Sequence, residues 1–81
     1  MATPFPITIA SVNVMHFNGE GVSLTCPGSE GELTILNNHE PFVSVLTKGT
    51  ITVRKASQES ELFEIEKGIV EVHRDGVAIL L

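Results

Sequence analysis

The polar residues best suited to chemistry lie together in segment 27–41, which also contains many turn-forming residues. Glu30 and Glu32 could form an acid–base pair, but they flank Gly31 in a turn, where nothing apolar would tune either carboxyl group for proton transfer. Gly28 and Gly31 do not form a phosphate loop, because such a loop leads into a lysine and a helix, whereas Glu32 and a strand follow here. The segment is therefore predicted to be a functional loop without catalysis.

Two further arrangements, a hydrolase pair and a zinc site, are incomplete. Ser29 and His39 are ten residues apart, and the serine lacks the strand–turn–helix motif that exposes a nucleophile. His16, His39 and His73 lack the close spacing, with one another or with cysteines, that zinc requires. His39 alone lies in a loop, where its ring could hydrogen-bond a turn carbonyl or reach a partner. We predict no catalytic residue, no cofactor and no metal.

Charge and hydropathy restrict the class of partner. Five Lys and Arg against ten Asp and Glu give a net charge of -5. This balance argues against nucleic acid, because phosphate binding needs clustered cations. The hydrophobic fraction of 42% is high for 81 residues. Because a small chain buries only part of its apolar surface, a protein partner is expected.

Cys26 is the single cysteine and has no disulfide partner within the chain, so it is expected to be a buried, unreactive strand residue. The longest apolar runs are far shorter than the roughly 20 residues of a membrane helix. The N-terminus lacks a basic region followed by an apolar run. These features predict a soluble, cytosolic protein without membrane insertion.

Alternating apolar residues and regular turn signals predict an all-β fold. No apolar pattern of helical period persists. The predicted strands are a pair within 6–17, bent near Ala10 and Ser11, and single strands at 22–26, 32–35, 42–46, 50–54, 62–66, 69–74 and 77–81. Together they indicate one domain, residues 1–81: a small antiparallel β-sandwich or flattened barrel of about 8–10 short strands, without a helical domain.

Three segments carry more specific predictions. Segment 18–21 is expected to be a turn, with Gly19 and Gly21 at positive φ. Asp75-Gly76 predicts a two-residue hairpin turn with positive φ at both positions. Segment 42–46 is apolar on nearly both sides, so this strand should be central or form a contact.

Five motifs share one order and spacing: Phe17-Asn18-Gly19, segment 27–33, His39-Glu40-Pro41, Lys48-Gly49-Thr50-Ile51 and segment 68–72. In this arrangement the chain resembles the N-terminal β-sandwich domain of the epsilon subunit of F-type ATP synthase, over about residues 7–81. The resemblance implies a non-catalytic subunit of the central stalk, which turns with the rotor and couples the gamma subunit to the c ring during ion-driven ATP synthesis. It also implies a peripheral location on the cytoplasmic side of the bacterial inner membrane, or on an equivalent energy-coupling membrane.

The resemblance also implies which residues meet each partner. The turn Glu30-Gly31-Glu32 would face the polar loops of the c ring, where its acids could pair with basic residues. The residues implied to lie toward gamma are Ser11, His39, Phe42, Val43 and Ser44. On this hypothesis Phe42 anchors the gamma interface and His39 adds a hydrogen bond at its edge.

Three departures from the family pattern affect these expectations. Asn38 stands where the family often has glycine, but asparagine tolerates positive φ and the turn is expected to survive. Lys67 replaces the first glycine of a common pair. The family's second domain, a hairpin of two helices, has no counterpart in these 81 residues. We therefore expect neither helix-mediated inhibition nor a nucleotide site in this chain.

One alternative from another class is a free-standing β-sandwich binding module, for example for carbohydrate. Such a module needs exposed aromatic side chains as a stacking platform. The chain has no Trp or Tyr, and its four Phe residues mostly fall at strand positions suited to a core.

Overall fold

The computed structural model describes residues 3–81, and the all-β fold is confirmed: nine strands and no helix occur in that range. The strands are β1 Phe5–Ser11, β2 Val14–Gly21, β3 Ser23–Gly28, β4 Gly31–Ile35, β5 Phe42–Leu46, β6 Gly49–Arg54, β7 Ser60–Ile65, β8 Gly68–His73 and β9 Gly76–Leu80. Each is five to eight residues long. These bounds agree closely with the alternation in the sequence after residue 21.

The strands form one curled sheet in the order β2-β1-β9-β8-β5-β3-β6-β7, and β4 pairs with β3. Among these pairings β1 with β9 is parallel and the others are antiparallel. A single residue pair, Gly28 with Leu46, joins β5 to β3. The sheet turns at this junction into a first layer, β2-β1-β9-β8-β5, and a second layer, β4-β3-β6-β7.

The inward side chains of both layers form one core without a buried polar or charged side chain among the described residues. Its members are Phe5, Ile7, Ile9, Leu24, Cys26, Ile35, Leu46, Ile51, Val53, Ile65, Val70, Val72, Val77 and Ile79. Burying an aliphatic side chain of this size contributes about 1.5–3 kcal/mol. Cys26 is buried as predicted, and burial raises the pKa of its thiol to about 12. The thiol is therefore protonated and unreactive at neutral pH.

Side-chain contacts join the two outermost strands, β2 and β7. The rings of Phe17 and Phe63 meet edge to face with 5.9 Å between their centroids. Lys55 lies over the Phe17 ring, 5.8 Å from its centroid, and forms an ion pair with Glu61. The hydrogen bond to Glu61 raises the pKa of Lys55. Aromatic and cation–π contacts thus replace a hydrogen-bonded ladder along this seam.

The prediction of a turn at 18–21 is wrong, because these residues belong to β2 and pair with β1. The turn lies instead at residues 12–13, where Asn13 has φ of 65°. Gly21 is needed for space: a Cβ there would lie 2.9 Å from Ile7 Cδ1 and 3.0 Å from the carbonyl oxygen of Arg54. The predicted bend near residue 10 corresponds to a shift in the β1–β2 register after Ile9.

The hairpin predicted at Asp75-Gly76 is confirmed, but its turn lies one residue earlier. His73 pairs with Gly76, which leaves Arg74 and Asp75 in the turn. Asp75 is not among the residues with positive φ, so the expectation of positive φ at both positions is wrong. Gly76 serves close packing, because a Cβ there would lie 2.8 Å from the carbonyl oxygen of Pro6.

Candidate functional site

The turn between β3 and β4 presents the two carboxylates that the sequence singled out. Ser29 and Glu30 form the turn, and Gly31 follows with φ of 126°, a conformation that favours glycine. Glu30 and Glu32 are exposed. The Ser29 amide donates a hydrogen bond to the carbonyl of Val45 at 3.0 Å, which attaches the turn to β5. We call residues 30–32 the acidic turn.

His39 lies in the loop after β4, at the opposite end of that strand from the acidic turn. Asn38 has φ of 68°, which confirms that it accommodates the turn. His39 Nδ1 lies 3.3 Å from the carbonyl oxygen of Glu40, and its ring centroid is 5.2 Å from that of Phe42. The structure therefore shows His39 in a turn-stabilising contact, one of the two roles considered for it. A five-residue strand, about 17 Å long, separates His39 from Ser29, which rules out a catalytic pair between them.

Strand β5 has two apolar faces, as its sequence predicts. Phe42 and Ser44 pair with the buried Val72 and Val70, so they point inward, and Phe42 packs half-buried against the core. Val43 points outward and is 68% exposed. Among the residues implied to meet gamma in this strand, Val43 is thus the one on the outer surface.

Ser11 lies at the end of β1, and its Oγ is 2.9 Å from His16 Nε2. Two strands, β9 and β8, lie between β1 and β5, so Ser11 is about 14 Å from β5 at the usual strand spacing. His39 lies beyond the other end of β5. The five residues implied to face gamma therefore do not form one cluster; Ser11, Val43 and His39 lie instead around the edges of the first layer.

Between them lies an apolar surface that sequence reasoning missed. The strand register aligns one outward residue from each strand of the first layer into a continuous row, which we call the apolar row: Val45, Ile69, Leu80, Ala10 and Met15. Ala10 is half-buried and the other four are between 42% and 58% exposed. One signal in the sequence could have revealed this surface. Strands β5, β8 and β9 have apolar residues at consecutive positions, whereas a strand with one face in water alternates apolar and polar residues.

The outer face of the second layer also has a row of aligned side chains, but most of its members are polar. The register aligns Thr34, Thr25, Thr52 and Leu62, which we call the threonine row. Thr25 Oγ1 and Thr34 Oγ1 are 3.4 Å apart, and beside the row Thr50 Oγ1 donates to Glu64 Oε2 at 2.9 Å. The apolar row is therefore a property of one layer and not of both.

Other kinds of site find little support in residues 3–81. No group of three or more His, Cys, Asp or Glu residues in that range is arranged to hold a metal ion. None of the four phenylalanines offers a free ring: Phe5 is buried, and Phe17, Phe42 and Phe63 pack against the core. Within the same residues no helix has the length and apolar character needed to cross a membrane.

Comparison with known proteins gives a consistent picture. The model of the family described as "ATP synthase, Delta/Epsilon chain, beta-sandwich domain" matches residues 4–81. The chain is 36% identical over 80 residues to the ATP synthase epsilon chain of Dichelobacter nodosus, covering 99% of this chain and 56% of that one. It is 36% identical over 64 residues to the epsilon chain of Caulobacter vibrioides, covering 79% and 73% respectively. The chain thus spans a little over half the length of the Dichelobacter relative.

Solved structures show the same fold. A chain in the Euglena gracilis mitochondrial ATP synthase, in its OSCP/F1/c-ring structure, superposes with a TM-score of 0.88 at 22% identity, covering 95% of this chain and 49% of that one. A chain in the central stalk/c-ring structure of the Tetrahymena thermophila mitochondrial ATP synthase gives a TM-score of 0.79 at 22% identity, covering 98% and 63%.

Proposed function

This chain belongs to the family of ATP synthase delta/epsilon chain β-sandwich domains, and we propose that it is a non-catalytic rotor subunit in the central stalk of an F-type ATP synthase. In this role it joins the gamma subunit to the c ring and turns with them during proton- or sodium-driven ATP synthesis. It lies at the periphery of the membrane, on the cytoplasmic side of a bacterial inner membrane or its equivalent, and reaches the membrane through the c ring.

The observation that carries the proposal is the apolar row on the first layer. Four half-exposed side chains, Val45, Ile69, Leu80 and Met15, form a band across the five strands together with Ala10, and Val43 lies beside it. A continuous apolar surface of this kind marks a protein interface, because covering it removes apolar area from water. We assign this outer face to gamma. Phe42 and Ser44 then support the surface from its inner side.

The acidic turn is proposed to meet the c ring. Glu30 and Glu32 are exposed and form no ion pair within residues 3–81. Exposed carboxylates attract basic residues of a partner over distances of up to about a Debye length, and added salt weakens this attraction. The Ser29–Val45 hydrogen bond connects this turn to the strand that carries one end of the apolar row. One stiff sandwich could therefore hold both partners in a fixed relation.

The test is titration of this chain against purified gamma subunit by calorimetry. Ile69→Asp places a charge in the apolar row and is expected to weaken binding by at least roughly 100-fold. Leu62→Asp is the matched control, because Leu62 is also an exposed strand residue, 66% accessible, but lies on the second layer. It should leave the affinity unchanged. Phe42→Ala is a poorer probe, because Phe42 packs against the core and its loss would also lower stability.

A second arm separates the two partners. Glu32→Lys should leave gamma affinity unchanged and weaken capture of the chain–gamma pair by detergent-solubilised c ring, most strongly at low salt. If the folded wild-type chain does not bind gamma, the central-stalk proposal is wrong. Binding of a glycan panel in its place would support the free-standing module.

A further inference from the structure

Glu71 is the one charged side chain in a second outward row that the register places beside the apolar row on the first layer. The members of this second row are Val43, Glu71, Ala78, Thr8 and Asn18. Glu71 lies on β8, and the register places it between Val43 of β5 and Ala78 of β9. Ile69, a member of the apolar row, is two residues away on the same face of β8. The Glu71 side chain is 39% exposed. A partner that covers the apolar row therefore also covers this carboxylate.

Covering Glu71 has an energetic consequence. A carboxylate that loses water without gaining hydrogen bonds or a counter-charge strongly opposes association. Its partner within the structure is His73, whose Nε2 lies 3.2 Å from Glu71 Oε1. That contact involves one carboxylate oxygen, whereas an ionised carboxylate has about four acceptor sites on two oxygens. The remaining sites need donors that residues 3–81 do not provide.

We propose that Glu71 is a specificity-determining residue of this docking surface, and that gamma places an arginine or lysine side chain against its carboxylate. The inference rests on the proposed function, because it takes gamma as the occupant of this face. Valine, isoleucine and leucine accept any apolar surface of suitable shape, so they discriminate weakly between partners. A carboxylate between Val43 and Ala78 disfavours every partner that offers neither a cation nor hydrogen-bond donors at that point. The net charge of -5 also favours a partner that carries basic side chains.

The experiment compares gamma binding by the wild-type chain with that of two substitutions at position 71. Glu71→Gln keeps the shape but removes the charge, and is expected to weaken binding by roughly 30-fold or more, the range for truncating one member of a buried charge pair. Glu71→Lys should weaken it further. The matched control is Glu64→Gln, since Glu64 is an exposed strand carboxylate on the second layer and should not affect affinity.

A double-mutant cycle then identifies the cation. Each arginine and lysine of gamma is changed to alanine and titrated against the wild-type chain and against Glu71→Gln. The proposal requires one gamma residue whose loss weakens wild-type binding but has little further effect on Glu71→Gln.

The outcomes are distinct. If Glu71→Gln binds gamma as tightly as wild type while Ile69→Asp does not bind, the role of Glu71 is wrong and gamma still docks on this face. If wild type does not bind gamma, the proposed function and this inference fall together. Circular dichroism of each variant confirms that a loss of affinity is not a loss of fold.

Discussion

The outer faces of the two layers are built from strands of similar length in one continuous sheet, yet they carry opposite side chains. The first layer presents the apolar row, and the second layer presents the threonine row with Glu64 and Thr50 beside it. Both layers bury valine, isoleucine and leucine on their inner faces. The strand period of two therefore operates in the same way on both sides of the core, and the difference lies only in what faces outward.

This difference separates the requirements of folding from those of binding. The second layer shows that the sandwich folds with β-branched polar residues on an outer face, because threonine suits a strand and tolerates water. Nothing in the fold thus requires Val45, Ile69 or Leu80 to be apolar. On the proposed function, their apolar character is explained by a surface that becomes covered when gamma binds.

The largest effect on stability is expected from shortening a buried side chain of the inner face, and it should exceed the effect of shortening an exposed side chain of the apolar row. Ile51→Ala removes a fully buried residue of the inner face of β6 and should lower the free energy of unfolding by about 2–5 kcal/mol. Ile69→Ala acts on the half-exposed apolar row and should cost less than about 1 kcal/mol. Urea denaturation of both variants measures the difference. Equal losses would mean that Ile69 belongs to the core, and the contrast between the two outer faces would then lose its meaning.

The architecture was largely predictable because its signals are local. Alternation identifies most strands, as Ile51 and Val53 show in β6, and a run of polar residues marks the loop that follows. The acidic turn was also predictable, since Gly31 permits a conformation that other residues rarely adopt. The glycines at 19 and 21 suggest a turn that the structure lacks, because glycine serves close packing as well as turns. Which of these explains a given glycine depends on neighbours that are distant in sequence, such as Arg54 beside Gly21.

The candidate site was predictable only in part, for the same reason. The apolar row depends on a register that brings Val45 beside Ile69 and Ile69 beside Leu80, and on the parallel pairing that continues the row to Ala10. No local pattern specifies these pairings. The family resemblance implied gamma contacts at Ser11, His39 and residues 42–44, around the edges of the first layer, and left the centre of this surface undescribed.

An intermediate effect is expected from making the first layer resemble the second. Val45→Thr, Ile69→Thr and Leu80→Thr together keep β-branched character at two positions and introduce it at the third, so stability should change by no more than about 1–2 kcal/mol. Gamma affinity should fall by roughly 100-fold, because the apolar area of the row no longer leaves water on binding. Thermal denaturation and calorimetry measure the two quantities on one sample. Retained affinity would show that gamma does not depend on the apolar character of this face.

The smallest effect is expected on the second layer, where the hydrogen bond from Thr50 Oγ1 to Glu64 Oε2 is the shortest side-chain hydrogen bond of the face. Thr50→Val removes the hydroxyl and keeps the branched shape. Water replaces the lost donor at the exposed Glu64, so the free energy of unfolding should change by less than about 0.5 kcal/mol. Gamma affinity should also remain at the wild-type value. A loss of affinity in this variant would place a partner on the threonine row as well, and the two outer faces would then differ in the chemistry of their partners and not in whether they have one.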